Sequence, residues 1–255
     1  MSVDDRSHYA PCENIDIACS KIGADQQELV RVDNYMQGAN ALKQDAIARN
    51  NFAVADSFYP GIRMAISDTY IVALVKNFHG IIQDFFGLDL RKIKKAVSAY
   101  SIVTYAPDQL KLMQRIPHFD APSRESLAVI HYLCDAPDSG TSFYQHNATG
   151  YEYINKDRIG HYEKSIVERF QNPINQPTHY ICGDTEDYSE IASHKAVYNR
   201  LLMYRGSSLH SGIIRPGYNF DPSPETGRLT VTSFIEFGDW YMAVIDRLSA
   251  TNKIK

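Results

Sequence analysis

The sequence predicts a mainly β protein with flanking helices that pack on the outside of a β-sandwich or barrel. Two patterns lead to this prediction. One is a strongly amphipathic stretch in the first third of the chain, and the other is a series of short β-rich runs, parted by turn residues, that begins near residue 98. The length of 255 residues fits one large domain, and no repeat, low-complexity tract or linker divides the chain. We therefore predict a single domain over residues 1–255.

The first part of the chain is predicted to be helical, over about residues 31–95. Residues 1–30 show no clear hydrophobic period and are expected to form a loosely packed lead-in, and a helix is predicted from about residue 33 to 50. A clearer helix is predicted at 67–87, where Ser67 can cap the beginning and Gly87 can close the end. Its apolar residues recur every three or four positions: Ile71, Leu74, Val75, Phe78, Ile81, Ile82, Phe85 and Phe86.

Short β-rich runs dominate the chain from about residue 98 to 237. The predicted strands are 99–105, 127–133, 141–145, 198–204 and 228–237. A helix near 160–171 interrupts them, and a further helix at about 238–250 closes the chain. The alternation of strands and turns favours one β core rather than two separate units.

Composition narrows the classes of function. Hydrophobic residues make up 44% and charged residues 22%, as in ordinary globular proteins, and the net charge of −4 gives no basic patch for nucleic acid. No apolar run is long enough to cross a membrane, the N-terminal residues do not resemble a secretory signal, and the four cysteines lack a C-x-x-C spacing. We expect a cytoplasmic protein with a small-molecule or peptide substrate and no nucleic-acid or membrane partner, and a homodimer stays open.

Three residues form a candidate metal site. His118 and Asp120 stand two positions apart in "RIPHFDAPS", so in an extended segment both point to the same side. Such a triplet also arises by chance, and a hydrogen-bonded loop is the alternative. His210, directly behind a later predicted strand, is a third candidate ligand. Two histidines and one carboxylate on one face of an iron(II) ion would leave three positions open for other ligands.

A candidate anion clamp follows on the next predicted strand. Arg228, Thr230 and Thr232 alternate with apolar residues and therefore share one face. A guanidinium and a neighbouring hydroxyl on that face could hold a carboxylate. Arg215, in the long segment 213–226 that precedes this strand, is a rival for the same role. His131 adjoins Tyr132 in its strand and is expected to point to the opposite face as a packed, hydrogen-bonded side chain.

The order H-x-D, distal histidine, then arginine on the following strand resembles that of the iron(II)/2-oxoglutarate-dependent oxygenases. The motifs "VIHYL" and "SGTSFYQH" resemble the tyrosine-bearing strand and the G-G-x-x-F turn of the prolyl-hydroxylase-like branch, with Ser139 where a second glycine is usual. "FYQHNATGYE", "NRLLMYRGSSLHSG" and "GRLTVTSF" resemble a little-characterised bacterial family within this superfamily. The resemblance covers about residues 98–237 and implies a double-stranded β-helix, or jelly roll, with the N-terminal helices outside.

The resemblance also implies a role for each candidate residue. His118, Asp120 and His210 would bind Fe(2+). Arg228 would bind the distal carboxylate of 2-oxoglutarate, helped by Thr230 or Tyr132. Tyr105 matches a further tyrosine that lines the co-substrate pocket.

The implied reaction consumes O2 and 2-oxoglutarate, oxidises a C–H bond of the substrate, and releases succinate and CO2. Halogenating members of the superfamily lack the carboxylate ligand, so Asp120 argues for hydroxylation, or for desaturation or ring closure. Two alternatives remain: a non-catalytic cupin-like module that binds a metal or ligand, and a cupin-type dioxygenase that uses no 2-oxoglutarate. Neither needs a cationic clamp, so Arg228 discriminates between these classes.

Overall fold

Antiparallel strands and a few helices make up most of the computed structural model, which describes residues 6–54 and 58–238. The strands are β1 Asp16–Ile22, β2 Gln27–Asp33, β3 Ala53–Val54, β4 Gly61–Ala65, β5 Ile93–Val103, β6 Ser126–Tyr132, β7 Ala136–His146, β8 Tyr188–Ala196, β9 Leu201–Arg205, β10 His210–Ile214 and β11 Leu229–Phe237. The α-helices are α1 Ala39–Arg49, α2 Asp68–Asn77, α3 Leu112–Arg115 and α4 Ile159–Phe170. A π-helical turn spans Ile81–Phe85, and 3-10 turns span Arg6–Tyr9, Leu90–Lys92, Pro107–Gln109 and Pro173–Asn175.

The strands form two sheets of unequal size. The larger sheet has the order β1-β2-β9-β6-β11-β5-β4-β3, and the smaller has the order β10-β7-β8. Apolar side chains from both sheets meet in one cluster, where Tyr132 and Tyr204 of the larger sheet pack with Phe143 of the smaller one. The two sheets therefore pack face to face, and the architecture is a sandwich rather than a closed barrel.

The main hydrophobic core lies on the other face of the larger sheet, beneath the N-terminal helices. Leu42 of α1 and Leu74 of α2 pack there with Val129 and Val231 from the central strands. Each of these side chains is almost completely buried. The helices thus cover the outside of the sandwich, as the sequence predicts.

The amphipathic stretch at 67–87 forms α2 and the π-helical turn. Ser67 caps α2 by accepting a hydrogen bond from the backbone N–H of Thr69 at 3.3 Å. Gly87 follows the π-helical turn with a φ of +65°, a conformation that favours glycine. The eight predicted apolar positions are all buried or partly buried in the main core. The prediction of this helix, its cap and its buried face is therefore confirmed.

The N-terminal residues differ from the prediction. The expected loose lead-in contains β1 and β2, and β2 pairs with β9 inside the larger sheet. Leu29 packs between the two sheets while Val30 and Val32 face the helices, so both faces of β2 are buried and the hydrophobic pattern shows no clean period. The predicted helical section of about 31–95 also contains β3, β4 and the first residues of β5. The sequence did not predict β3 and β4 because strands this short have too few residues to show a hydrophobic period.

The strands predicted at 99–105, 127–133, 141–145, 198–204 and 228–237 correspond to β5, β6, β7, β9 and β11, and the helix at 160–171 corresponds to α4. The sequence analysis missed β8 and β10. The C-terminal helix predicted at about 238–250 lies outside the described residues. Among the described helices, none has the length and apolar character needed to cross a bilayer.

Candidate metal centre

Backbone pairing brings the H-x-D segment to the distal histidine. His118 and His210 exchange two backbone hydrogen bonds of 2.9 Å, which form an isolated antiparallel bridge. The N–H of Asp120 donates to the carbonyl of Gly206 at 2.7 Å. The loop before β6 is therefore fastened by its backbone to the turn before β10, which places the three candidate ligands next to one another.

The three candidate ligands converge on one point. Their donor atoms all lie within 4.8 Å of one another. The Nε2 atom of His118 lies 4.0 Å from one carboxylate oxygen of Asp120, and the Nε2 atom of His210 lies 3.6 Å from the other. Both imidazoles thus present the same type of nitrogen to the carboxylate.

His210 is held in the tautomer that a metal ligand requires. Its Nδ1 lies 2.9 Å from the carbonyl oxygen of Ser208, and because a carbonyl can only accept, the proton is on Nδ1. The lone pair of Nε2 then points toward Asp120. The ring packs against Tyr204, with centroids 4.8 Å apart, and is nearly buried. A backbone acceptor on the distal nitrogen is the usual way in which proteins orient a metal-ligating histidine.

The electrostatics also suit a cation. Burial lowers the pKa of His210 to about 4, so the imidazole is neutral near pH 7. Burial, the neighbouring His210 and Arg63 lower the pKa of His118, against the effect of Asp120. Burial raises the pKa of Asp120 to about 6, while His118 and Arg63 act in the opposite direction. A carboxylate whose charge is only partly compensated, beside two neutral imidazoles, is a favourable setting for a divalent metal.

The donor set itself fits a transition metal. Two imidazole nitrogens and one carboxylate supply three donors, fewer than the four of a closed structural zinc site. The His118 side chain is 48% exposed, so the cluster can be approached from that side. The residues present could therefore hold a metal such as Fe(2+) and leave room for further ligands.

Arg228 lies immediately before β11 and is buried, with 3% of its surface exposed. Its Nε donates to the hydroxyl of Ser139 at 2.7 Å, and one terminal nitrogen donates to the carbonyl of Gly140 at 2.8 Å. Its guanidinium also lies 5.4 Å from the centre of the Tyr132 ring. No carboxylate pairs with it among the described residues. Ser139, which replaces a glycine of the resembled turn, thus contacts the predicted clamp directly.

Tyr132 and Thr230 lie side by side on the face of the larger sheet that meets the smaller sheet. They are register partners on β6 and β11, and both are completely buried. The phenol of Tyr132 is 2.6 Å from the hydroxyl of Thr141, and the hydroxyl of Thr230 donates to the carbonyl of Ser101 at 3.2 Å. The structure brings both predicted residues beside Arg228.

Among the described residues, no hydrogen bond or ion pair joins Tyr105 or Arg215 to Arg228 or to the metal cluster. Tyr105 packs in a small cluster with Val103 and Tyr180, and its carbonyl accepts a hydrogen bond from the Tyr180 phenol at 2.8 Å. Arg215 is exposed and shares with Arg228 the lining of a cleft of about 400 Å³. No residue of the metal cluster lines that cleft.

Two residues near the site were missed by the sequence analysis, Tyr59 and Arg63. Burial raises the pKa of the Tyr59 phenol to about 12, while the charges of Arg228 and Arg63 lower it. The guanidinium of Arg63 stacks 4.5 Å from the centre of the Tyr59 ring. The only local signal was an arginine between apolar residues in the short strand "GIRMA", which did not distinguish it from a surface position.

His131 points away from this site, as predicted. It is completely buried, with Nδ1 3.1 Å from the Tyr70 phenol and Nε2 3.0 Å from the side-chain oxygen of Asn199. Because the Asn199 oxygen can only accept, Nε2 carries the proton and Nδ1 accepts from Tyr70. The residue is a neutral, structural histidine between the sheet and the helices.

Comparison with known proteins identifies a family and a fold. A family model described as a family of unknown function, DUF6445, matches residues 13–235. No curated protein sequence matches the chain significantly.

Among solved structures, the chain is similar to the non-haem alpha-ketoglutarate-dependent carbocyclase SnoK from nogalamycin biosynthesis. The TM-score is 0.50 at 10% identity, with 94% of this chain and 85% of that chain covered. A prolyl-4-hydroxylase from Pseudomonas putida gives a TM-score of 0.43 at 13% identity, with 88% and 93% covered. HygX from Streptomyces hygroscopicus, with nickel, 2-oxoglutarate and hygromycin B bound, gives 0.44 at 11% identity, with 83% and 84% covered.

At such low identity these similarities bear on the fold alone. The fold is a double-stranded β-helix with helices packed outside, which confirms the predicted fold class.

Proposed function

Because this chain belongs to the DUF6445 family of unknown function, its activity must be inferred from its own site, and we propose that it is a non-haem iron(II)/2-oxoglutarate-dependent dioxygenase. We propose that it hydroxylates a C–H bond of a small metabolite, amino acid or peptide and releases succinate and CO2. The observation that carries the proposal is the pairing of a three-donor metal cluster with a buried arginine, Arg228, that lacks a carboxylate partner among the described residues. The motifs around Tyr132 and Ser139 support a place in the prolyl-hydroxylase-like branch.

His118, Asp120 and His210 would hold the metal. Bound iron(II), together with 2-oxoglutarate, would supply the capacity to activate O2 for oxidation of a C–H bond. The protein contributes placement, because a backbone bridge holds His118 next to His210 and the Ser208 carbonyl orients the imidazole of His210.

Arg228 would bind the distal carboxylate of 2-oxoglutarate. A buried guanidinium that faces only neutral groups carries a desolvation cost that a bound carboxylate would offset. Ser139 and Gly140 orient the guanidinium and take up two of its N–H donors, so the others are left for a ligand. Thr230 and Tyr132 border the same space and could add hydroxyl contacts. We also propose Tyr105 for this pocket, on the resemblance alone.

Asp120 favours hydroxylation over halogenation. With the carboxylate as a ligand, a halide would have to displace an anionic oxygen donor at a cost in charge and coordination. The backbone N–H of Asp120 donates to the carbonyl of Gly206, which holds the main chain of this ligand beside the cluster.

The test combines metal binding, co-substrate binding and turnover. Titration calorimetry under anaerobic conditions should show that the protein binds Fe(2+) and that 2-oxoglutarate binds only after the metal. The variant His210→Ala should lose most of its metal affinity and remain folded. Succinate, measured by mass spectrometry, should form in air and increase when a substrate is found in a screen of free and carrier-bound amino acids for a gain of one oxygen.

The same experiment separates the proposal from a cupin-like binding module. Such a module would bind the metal but neither bind 2-oxoglutarate nor form succinate with any compound. That result would overturn the proposed function. Unchanged metal affinity in both His118→Ala and His210→Ala would overturn the assignment of the ligands.

A further inference from the structure

Arg63 lies on the same face of the larger sheet as the proposed co-substrate residues. In the register of the sheet, Arg63 of β4 pairs with Ser101 of β5, Ser101 pairs with Thr230 of β11, and Thr230 pairs with Tyr132 of β6. Side chains that are direct partners across antiparallel strands project from the same face. This row across four strands therefore places Arg63 on the side of the sheet that faces the metal cluster.

The charge of Arg63 reaches that cluster. The negative charge of Asp120 acts to raise the pKa of Arg63. Burial is nevertheless the largest effect on Arg63 and lowers its pKa. A positive charge is thus held in a partly desolvated position close to the proposed metal.

Arg63 has no hydrogen-bond acceptor among the described residues. Its Nε is buried without a partner, and none of its nitrogens forms an ion pair. Other arginines of the described chain do have carboxylate partners: Arg205 pairs with Glu28, and Arg158 pairs with Asp25. The Nε of Arg115 is also buried without a partner, but its two terminal nitrogens donate to three backbone carbonyls. A half-buried guanidinium that leaves its donors unused is costly unless a ligand accepts from it.

Aromatic rings hold the guanidinium of Arg63 in place. It lies 4.5 Å from the centre of the Tyr59 ring and 5.9 Å from that of Phe234. Stacking uses the flat faces of a guanidinium and leaves the N–H groups at its edge available for a planar acceptor. The side chain is therefore pre-organised for an anion that arrives beside the cluster.

We infer that Arg63 binds a carboxylate of the primary substrate and so selects for acidic substrates. The assignment to the substrate rests on the proposed function, in which one carboxylate of 2-oxoglutarate meets Arg228 and the other meets the metal. Arg63 is then a second cation that the co-substrate does not neutralise. An amino acid or peptide with a free carboxylate has the chemistry that this position requires.

The inference can be tested by binding alone. The protein is loaded with Zn(2+) and N-oxalylglycine, an unreactive analogue of 2-oxoglutarate, and ligand-observed NMR follows a mixture of N-acetyl amino acids and of their primary amides. The two sets differ only in the carboxylate. The variants are Arg63→Met, which removes the charge at similar volume, Arg63→Lys, which keeps the charge, and the control Arg91→Met, which removes a charge from a side chain that is 90% exposed.

We expect the native protein to bind at least some of the acids and to bind their amides about tenfold or more weakly, as loss of a charge-assisted hydrogen bond implies. Arg63→Met should bind the acids as weakly as the amides, Arg63→Lys should retain part of the preference, and Arg91→Met should behave as the native protein does. N-oxalylglycine affinity should be the same in all four proteins.

Three results would overturn the inference. The first is the absence of any preference for acids in the native protein, which needs no variant. The second is an acid preference that survives in Arg63→Met, and the third is a loss of N-oxalylglycine binding in that variant, which would assign Arg63 to the co-substrate. If N-oxalylglycine binds none of the proteins, the proposed function fails separately, and the same comparison on metal-free protein still decides whether Arg63 binds carboxylates.

Discussion

Replacement of Arg228 by methionine tests the co-substrate site most directly. The change keeps the packing of a long side chain against Tyr132 and removes the charge. Arg228 uses two of the five N–H donors of a guanidinium on Ser139 and Gly140, which leaves donors for a carboxylate. A hydrogen bond to a charged group contributes about 1.5–3 kcal/mol, so the affinity for 2-oxoglutarate should fall about 10- to 150-fold.

The assay is titration calorimetry of Ni(2+)-loaded protein with 2-oxoglutarate, because Ni(2+) permits binding without turnover. Metal affinity should be unchanged, since Arg228 has no contact with the metal ligands among the described residues. Arg215→Met is the matched control, because this arginine is exposed and no residue of the metal cluster lines the clefts that it borders. The reasoning is refuted if Arg215→Met loses the co-substrate while Arg228→Met binds it as the native protein does.

The remaining predictions concern the reaction and the stability of the fold. Native protein in ample chloride, with a substrate and ¹⁸O2, should yield a product that contains ¹⁸O. The variant Asp120→Gly should show little or no turnover. A chlorinated product from the native protein would contradict the role of Asp120. Leu74→Ala, in the main core, should lower the free energy of unfolding by about 2–5 kcal/mol in urea titrations, while Val72→Ala, on the exposed face of the same helix, should change it by less than about 0.5 kcal/mol. Burial lowers the pKa of His131 to about 4 from its ordinary 6.5, so below pH 6.5 the unfolded chain takes up a proton that the native state excludes, and this residue alone should account for about 3 kcal/mol of the stability lost as the pH drops toward 4. The same pH dependence of urea unfolding in His131→Gln would show that another group is responsible.

Local patterns in the sequence predicted much of the candidate site. The triplet His118-Phe119-Asp120 is a single extended segment, so the relative direction of its ligands follows from strand geometry alone. The strand that carries Thr230 and Thr232 alternates cleanly because one face meets the helices and the other meets the smaller sheet. The helix at 67–87 could also be predicted from a local pattern, because one of its faces is buried and its apolar residues therefore recur with the helical period of 3.6 residues.

Local sequence patterns could not predict the N-terminal strands or the role of Arg63. β2 is buried on both faces and therefore lacks alternation, and β4 is too short for a period to be visible. Ser139 stands where the resembled turn has a glycine, and only the structure shows that its hydroxyl accepts a hydrogen bond from Arg228.

The sequence by itself determined the features that depend on neighbours along the chain. These are the ligand triplet, the alternating strand that follows Arg228, and the amphipathic helix. Only the tertiary structure decided the features that depend on pairing between distant segments. His118 meets His210 through a backbone bridge between the H-x-D loop and the start of β10, and Arg63 shares a face of the sheet with Thr230 and Tyr132 through the register of four strands. Register is set by the packing of whole sheets, and a shift of one residue would have turned Arg63 to the opposite face.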